Sequence, residues 1–163
     1  MIHTNFLKKE VWLFIAGLFF MASCNTSEKP LTAKVETLST GWKMQTSEKM
    51  AGTDESSVSL NEFNDADWLD AIVPGTVLGS MATTRYIEDP YFGINMQKVD
   101  PEQFKNPWWF RTSFNIEAAD LEKVISLRFN GINYRADLWV NGKKVEGKEN
   151  FAGTYLMFTF NIN

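Results

Sequence analysis

The sequence predicts an all-β fold, an antiparallel β-sandwich of the jelly-roll type with one short helix. Apolar and polar residues alternate with a period of two over much of the chain after Pro107, as expected of strands that bury one face. Asn-Gly pairs at 130–131 and 141–142 are typical of turns between strands, since both residue types tolerate positive φ. A single short segment carries the start signal of a helix.

The first half of the sandwich is predicted to contain two strands and that helix. Alternation over residues 41–47 predicts a first strand, and residues 49–57 (KMAGTDESS) form a polar loop. A second strand at 68–73 ends at a Pro-Gly turn signal. Thr76 is a suitable N-cap for a helix that extends to about Thr83.

Residues 84–107 show little periodicity but many residues suited to recognition, among them Asp89, Tyr91 and Asn95. A connection of this length is uncommon in a compact domain and is usually functional or disordered. We therefore expect functional residues in this stretch.

The second half of the chain predicts four strands, at 108–114, 124–129, 134–140 and 155–162. In the first of them the even-numbered residues Trp108, Phe110, Thr112 and Phe114 share one face, and Trp109, Arg111 and Ser113 share the other. In the last strand the predicted buried residues are Leu156, Phe158, Phe160 and Ile162.

The alternating pattern is still running at residues 162–163, without a closing turn or a polar tail. An unpaired apolar edge strand is an aggregation hazard that complete proteins usually protect. We therefore expect the sandwich, which spans residues 37–163, to be truncated at its C terminus.

The N terminus has the pattern of an export signal. Two lysines precede a twelve-residue apolar run at 11–22, which is short for a membrane span and suits a signal peptide over residues 1–23. Residues 21–24 (MASC) resemble the lipobox of bacterial lipoproteins, which predicts lipidation of Cys24 and a polar tether over 24–36. The alternatives are a true anchor helix, or a small-residue cleavage site beside a coincidental cysteine.

Export would leave few catalytic options. The only histidine, His3, lies in the signal peptide, and Cys24 would be blocked by lipid, so Ser-His-Asp, Cys-His and zinc sites are excluded. We expect no metal ion and no other cofactor, because no ligand-spacing pattern supports a calcium site. The net charge of −4 without a basic block argues against a nucleic-acid partner.

Four motifs, in order and at matching spacing, resemble the N-terminal sugar-binding domain of glycoside hydrolase family 2, a galactose-binding-domain-like jelly roll. The likeness is greatest to the exo-β-D-glucosaminidase and β-mannosidase branch. The motifs are Val73–Val77 (VPGTV), Asp89–Asn95 (DPYFGIN), Pro107–Thr112 (PWWFRT) and Phe129–Gly142 (FNGINYRADLWVNG).

The resemblance implies a larger retaining glycosidase, in which immunoglobulin-like domains and a (β/α)8 barrel follow this domain. The barrel would carry the two catalytic glutamates, so no residue of this chain is assigned a catalytic role. The implied partners are an oligosaccharide or polysaccharide substrate, the remainder of the enzyme, and a membrane held through the lipid anchor at the cell surface or in the periplasm.

The resemblance also implies that this domain contributes side chains to the rim of the active site. In the loop 89–95, Asp89, Tyr91 and Asn95 are candidates to bind sugar hydroxyls, with an aromatic ring under the sugar. The alternative is that Pro90 and Gly93 form a tight turn while Tyr91 and Phe92 pack on the sandwich.

Three further substrate-binding candidates lie outside this loop. Successive strand residues face opposite ways, so one of Trp108 and Trp109 should be core, and Trp109 is the candidate to contact ligand. Glu149 and Asn150 follow the hairpin, where relatives place a loop near the substrate. We expect Arg135 and Asp137, two residues apart on one strand face, to form a surface ion pair.

Three functions remain open, one of which is a purely structural interaction domain without sugar affinity. The first is the exported, non-catalytic N-terminal domain of an exo-acting β-glycosidase for β-glucosaminides or β-mannosides. The second is a stand-alone carbohydrate-binding surface lipoprotein that uses the 84–109 region as its binding face.

Overall fold

The structure, a computed structural model, describes residues 33–163. The predicted signal peptide, the lipidation of Cys24 and most of the tether therefore lie outside the described residues. Within residues 33–163, no helix has both the length and the apolar character needed to cross a bilayer. The strands and α-helices, in chain order, are β1 (Lys43–Thr46), α1 (Glu55–Val58), β2 (Leu69–Asp70), α2 (Val77–Thr83), β3 (Trp108–Arg111), β4 (Ser126–Phe129), β5 (Leu138–Val140), β6 (Lys143–Glu146) and β7 (Phe158–Asn161).

The strands pair in antiparallel fashion, as the alternation predicts. Among the described residues they form three small sheets, with strand orders β2–β1–β3, β4–β7 and β5–β6. Three short 3-10 helices lie in the connections, at Asn95–Lys98, Pro101–Phe104 and Ala118–Asp120. The all-β antiparallel class is confirmed, with shorter strands than the sequence suggested.

Two local predictions, the helix cap and the hairpin turn, are confirmed. The Thr76 side chain caps α2 by accepting a hydrogen bond from the Gly79 N–H at 3.0 Å. Asn141 and Gly142 have φ values of 48° and 80°, the left-handed conformation that a tight hairpin turn requires. They connect β5 to β6.

Three local predictions are wrong. The loop at 49–57 overlaps helix α1, whose N-cap Asp54 accepts a hydrogen bond from the Ser56 N–H at 3.1 Å; four residues are too few to show a helical period. The strand predicted at 134–140 is regular only from Leu138, since Arg135 forms an isolated bridge. Leu156 is exposed because it precedes β7.

Arg111 connects β3 to the segment that follows α1. Its guanidinium donates to the carbonyl oxygens of Val58 and Leu60, at 2.9 and 2.8 Å, and to the carboxylate of Asp65. It also lies 5.7 Å from the ring centroid of Phe63. The side chain is only 11% exposed, whereas its neighbour Phe110 is 36% exposed. The face of β3 that carries Arg111 is therefore the one turned inward.

A cluster of phenylalanines holds the β4–β7 sheet. Phe151, which is 2% exposed, makes edge-to-face contacts with Phe129, Phe158 and Phe160 at centroid distances of 5.0, 4.9 and 5.0 Å. Such aromatic pairs add stabilisation beyond the area they bury. The three partners belong to β4 and β7, so Phe151 fixes the connection after β6 on their apolar face.

Replacing Arg111 by alanine should lower the free energy of unfolding by about 3 kcal/mol, because it leaves the Asp65 carboxylate and two carbonyl oxygens without their donor. Urea denaturation followed by tryptophan fluorescence measures the change. The matched control is Arg128→Ala, which replaces an exposed arginine of β4 and should change the free energy of unfolding by about 0.5 kcal/mol or less. Equal effects of the two substitutions would contradict the role given to Arg111.

Candidate functional site

An open groove lies between α2 and the segment that follows it. Arg85, with a φ of 58°, turns the chain away from the helix, and the Tyr86 and Ile87 N–H groups donate back to the Met81 carbonyl. The groove thus has a helical wall and a loop wall. Its lining residues are Gly79, Ala82, Thr83, Arg85, Tyr86, Ile87, Glu88, Asp89 and Tyr91.

Asp89 and Asn95 close the candidate loop on itself. The Asp89 carboxylate accepts the Tyr91 N–H at 2.9 Å, and the Asn95 side-chain amide donates to the Asp89 carbonyl at 3.0 Å. Side chains of this type commonly replace backbone bonds in turns. Both predicted binding residues therefore shape the loop, and a carboxylate with two oxygens leaves Asp89 able to accept from a ligand as well.

Three apolar residues of the loop are exposed to solvent. Tyr91 is 80% exposed and Phe92 is 75% exposed, and Ile94 next to them is exposed too. The alternative that Tyr91 and Phe92 pack on the sandwich is wrong, because both side chains are exposed; the residue of this turn that is buried is Pro90. Exposed apolar groups gathered in one place commonly mark an interaction site.

Tyr86 and Glu88 are groove residues that the sequence analysis did not single out. Tyr86 is exposed, and the Glu88 carboxylate pairs with the Lys98 ammonium at 2.7 Å. This ion pair connects the start of the loop to the 3-10 helix Asn95–Lys98. The sequence feature that could have identified these two residues is their position directly before the predicted loop 89–95.

The two tryptophans of β3 are both half-buried, so the prediction that one of them is a core residue is wrong. In the described residues β3 is an edge strand of its sheet, and the two tryptophans, which lie on opposite faces of the strand, both keep partial contact with solvent. The Trp108 indole N–H donates to the Gln103 carbonyl at 3.0 Å. Trp109 pairs with Gln45 of β1 and keeps an accessible part.

Asp137 anchors the turn that carries Glu149 and Asn150. Its carboxylate pairs with the Lys144 ammonium at 2.7 Å and accepts the Lys148 N–H at 3.0 Å. The predicted Arg135–Asp137 pair is therefore wrong: the Arg135 guanidinium lies over the Tyr134 ring, 5.4 Å from its centroid. The hairpin turn brings Lys144 next to Asp137, and the separation of the two residues in the sequence did not predict this contact.

Hydrogen bonds to this turn change the ionisation of its charged groups. Partial burial raises the pKa of Asp137, but the bonds from Lys144 and the Lys148 N–H outweigh it, so that pKa lies below its ordinary value. The bond to Asp137 raises the pKa of Lys144. The Gly147 N–H and the Asn150 amide lower the pKa of Glu146, at 2.9 and 3.2 Å.

The predicted site residues thus fall into separate groups. Asp89, Tyr91 and Asn95 share one loop, whereas Glu149 and Asn150 lie on the exposed turn after β6. No hydrogen bond or ion pair found among residues 33–163 joins the two groups. In the same residues no group of three or more histidine, cysteine or acidic side chains is placed to hold a metal ion.

The sequence profile of one family, described as the glycosyl hydrolase 2 galactose-binding domain-like domain, matches residues 42–163. The chain belongs to this family. The match includes every strand and both α-helices described above, and it confirms the galactose-binding-like fold that the four motifs implied.

Individual relatives agree with this assignment. The exo-β-D-glucosaminidase of Amycolatopsis orientalis is 34% identical over 122 residues, which are 75% of this chain and 11% of that enzyme. The mannosylglycoprotein endo-β-mannosidase of Lilium longiflorum is 30% identical over 115 residues, 67% of this chain and 12% of that enzyme. These relatives confirm the predicted exo-β-D-glucosaminidase and β-mannosidase branch.

A solved structure shows the same fold. The crystal structure of the Amycolatopsis orientalis exo-chitosanase CsxA superimposes with a TM-score of 0.72 at 30% identity, over 79% of this chain and 15% of that one. This family member therefore spans about one seventh or less of the length of the larger enzymes it matches.

Acid should weaken the β5–β6 hairpin. Because the pKa of Asp137 is lower in the folded chain, its stabilisation is present above the ordinary aspartate pKa and is lost as pH falls through the folded value. The free energy of unfolding should therefore drop from about pH 5 to about pH 2 by more in the wild type than in Asp137→Asn. Denaturant titrations at several pH values measure the difference.

Lys144→Met should reduce the same pH dependence, since it removes the ammonium that favours the ionised carboxylate. Lys143→Met is the matched control, because Lys143 lies beside Lys144 on β6 and is not among the groups that lower the pKa of Asp137. A pH profile that is identical in wild type and Asp137→Asn would exclude this contribution.

Proposed function

We propose that the chain is the non-catalytic N-terminal sugar-binding domain of an exported, exo-acting β-glycosidase that hydrolyses β-glucosaminides or β-mannosides. The names of the relatives support both sugar classes. They favour β-glucosaminides, because several of the similar enzymes are exo-β-D-glucosaminidases.

The exposed Tyr91 ring beside the groove is the observation that carries this proposal. A sugar presents an apolar CH face and a rim of hydroxyls, so it suits a site that combines an aromatic surface with a few polar groups. Here Tyr91 supplies the surface, and the groove residues Arg85, Glu88 and Asp89 supply polar groups within the same wall.

A binding role rather than a catalytic one fits the chemistry of this groove. Retaining hydrolysis needs a carboxyl acid and a carboxylate nucleophile about 5–5.5 Å apart on either side of the scissile bond. In the groove, Glu88 is paired with Lys98 and the Asp89 carboxylate holds the Tyr91 N–H. In this proposal the domain orients the substrate and the rest of the enzyme cleaves it.

Isothermal titration of the chain with chito-oligosaccharides and manno-oligosaccharides tests the proposal. Tyr91→Ala should weaken binding about ten-fold or more, because it removes the aromatic contact. Tyr155→Ala is the matched control, since Tyr155 is 96% exposed and lies far along the chain, outside the groove lining. It should leave affinity unchanged.

Two results of this titration would reject the sugar site. One is the absence of heat with every oligosaccharide of the panel. The other is equal affinity of the wild type and Tyr91→Ala.

We also propose export through lipidation of Cys24, on the basis of the apolar run and the MASC motif. In a bacterial host, metabolic labelling with a radioactive fatty acid should mark the wild-type chain. The Cys24→Ser variant should carry no label and should appear in the soluble fraction. Ser23→Ala, which keeps a small residue before the cysteine, is the matched control and should remain labelled. Lipid on Cys24→Ser would disprove attachment at this residue.

A further inference from the structure

The two Asn-Gly pairs of the chain, at 130–131 and 141–142, lie in different surroundings. Both asparagines are exposed, but Gly131 is exposed whereas Gly142 is half-buried. The two pairs thus have the same chemistry and differ in what surrounds their backbone. This difference bears on a reaction to which asparagine is prone.

The backbone N–H of Gly142 is held by a side chain from another part of the chain. It donates to the Ser59 hydroxyl oxygen at 2.7 Å. That hydroxyl donates its own proton to the Ser56 carbonyl at 3.0 Å, so its lone pairs are left to accept. Leu60 packs beside the pair, since a β-carbon added to Gly142 would lie 3.1 Å from its Cδ2 atom. The second pair is therefore fixed against the segment that follows α1.

The backbone N–H of Gly131 has no hydrogen-bond partner in the part of the chain that the structure describes, residues 33–163. The pair directly follows β4, which ends at Phe129. On its other side Gly131 runs close to a neighbouring segment, because a β-carbon at this position would lie 2.9 Å from the Thr154 carbonyl oxygen. The nitrogen of Gly131 is thus unrestrained, while the main chain around it has little spare room.

An asparagine followed by glycine can react with its own backbone, because glycine has no β-carbon to hinder the approach. The glycine nitrogen gives its proton to solvent and attacks the asparagine Cγ. The new C–N bond closes a five-membered succinimide, the bond to the side-chain nitrogen breaks, and that nitrogen takes a proton from solvent and leaves as ammonia. Water then opens the ring at either carbonyl and gives aspartate or isoaspartate. The sum consumes one water and releases one ammonia, without oxidant or reductant.

We propose that Asn130 is a site of spontaneous deamidation in the folded domain, and that Ser59 protects Asn141 from the same reaction. Attack by the Gly142 nitrogen requires its peptide plane to rotate, which breaks the bond to the Ser59 hydroxyl. The Gly131 nitrogen has no such bond to break. The inference concerns the chemistry of this chain alone and does not depend on the proposed function.

The two products at Asn130 differ in their effect on the fold. Aspartate adds a carboxylate two residues after the exposed Arg128, a change that an exposed position tolerates. Isoaspartate adds a methylene group to the main chain directly before Gly131, where the approach to the Thr154 carbonyl leaves little room for it. Isoaspartate should therefore loosen the contact between the segments that follow β4 and precede β7.

The test follows both sites in the purified chain during incubation in mildly alkaline buffer. Peptide mapping by mass spectrometry measures the replacement of NH2 by OH at each asparagine, and a protein isoaspartate methyltransferase with a labelled methyl donor counts isoaspartate. In the folded chain Asn130 should react about five-fold faster than Asn141, the ratio that corresponds to the net free energy of one hydrogen bond. In urea, where both pairs are unfolded, the two rates should be similar.

Variants of Ser59 make the result specific. Ser59→Ala removes the acceptor and should raise the rate at Asn141 about five-fold, whereas Ser59→Thr keeps a hydroxyl and should preserve the slow rate. The matched control is Ser57→Ala, because the Ser57 hydroxyl donates to the carbonyl of the α1 N-cap residue and not to the hairpin. All three variants should leave the rate at Asn130 unchanged.

Variants of Asn130 separate the added charge from the added methylene. Freshly prepared Asn130→Asp has the aspartate product alone and should unfold at nearly the same urea concentration as the wild type. Wild-type chain that has accumulated isoaspartate should unfold at a lower concentration. Asn130→Gln closes the larger six-membered ring slowly and should keep its original midpoint after the same incubation.

Three outcomes would overturn the proposal. A folded chain in which Asn130 and Asn141 react equally fast, or Asn141 faster, excludes protection of the hairpin pair. An Asn130 that stays intact in the folded chain while the urea-unfolded chain reacts excludes it as a modification site. An unchanged rate at Asn141 in Ser59→Ala, with the variant folded by circular dichroism, excludes the role given to Ser59.

Discussion

The guanidinium of Arg111 is the constraint on which the first half of the domain depends. A planar group with five donors can bind several oxygens at once, and here it binds two backbone carbonyls and one carboxylate. The residues that it holds, from Val58 to Asp65, have no strand of their own. This connection joins α1 and the following turn to β3, which carries both tryptophans of the PWWFRT motif, and it acts together with the burial of Val58.

The second half depends on side chains that join parts of the chain separated by a hairpin. Asp137 holds Lys144 and the Lys148 N–H, and the Phe151 N–H donates to the Gly147 carbonyl. The same turn therefore places Glu149 at the surface and Phe151 in the aromatic cluster. A change in the turn would affect both the candidate binding residues and the packing of β4 on β7.

The sequence was sufficient for the fold class, the α2 cap and the Asn141-Gly142 turn, because these depend on local periodicity and on the conformations that single residue types allow. It was insufficient where a side chain acts over a long distance in the chain. The inward position of Arg111 depends on residues some fifty positions earlier, and the alternation of Trp108, Phe110 and Phe114 suggested the opposite face. The Asp137 partner likewise depends on the hairpin rather than on the neighbour at position 135.

The candidate site was predicted only in part, because the contacts of its side chains could not be inferred from the sequence. The motif DPYFGIN identified the loop, but residue types alone did not distinguish the polar residues that hold a turn from those that meet a ligand. Both Asp89 and Asn95 act within the turn, a role that their chemistry permits and that only their geometry reveals. The exposure of Tyr91 and Phe92 follows from that closure.

The self-closed turn has an evolutionary consequence. Its shape comes from Asp89 and Asn95 together with the buried Pro90, while the side chains of Tyr91, Phe92 and Ile94 extend into solvent. Substitutions at Tyr91, Phe92 and Ile94 can therefore accumulate with little effect on stability, as for exposed positions in general. A turn of this construction lets a lineage change what the tip contacts while keeping the same scaffold.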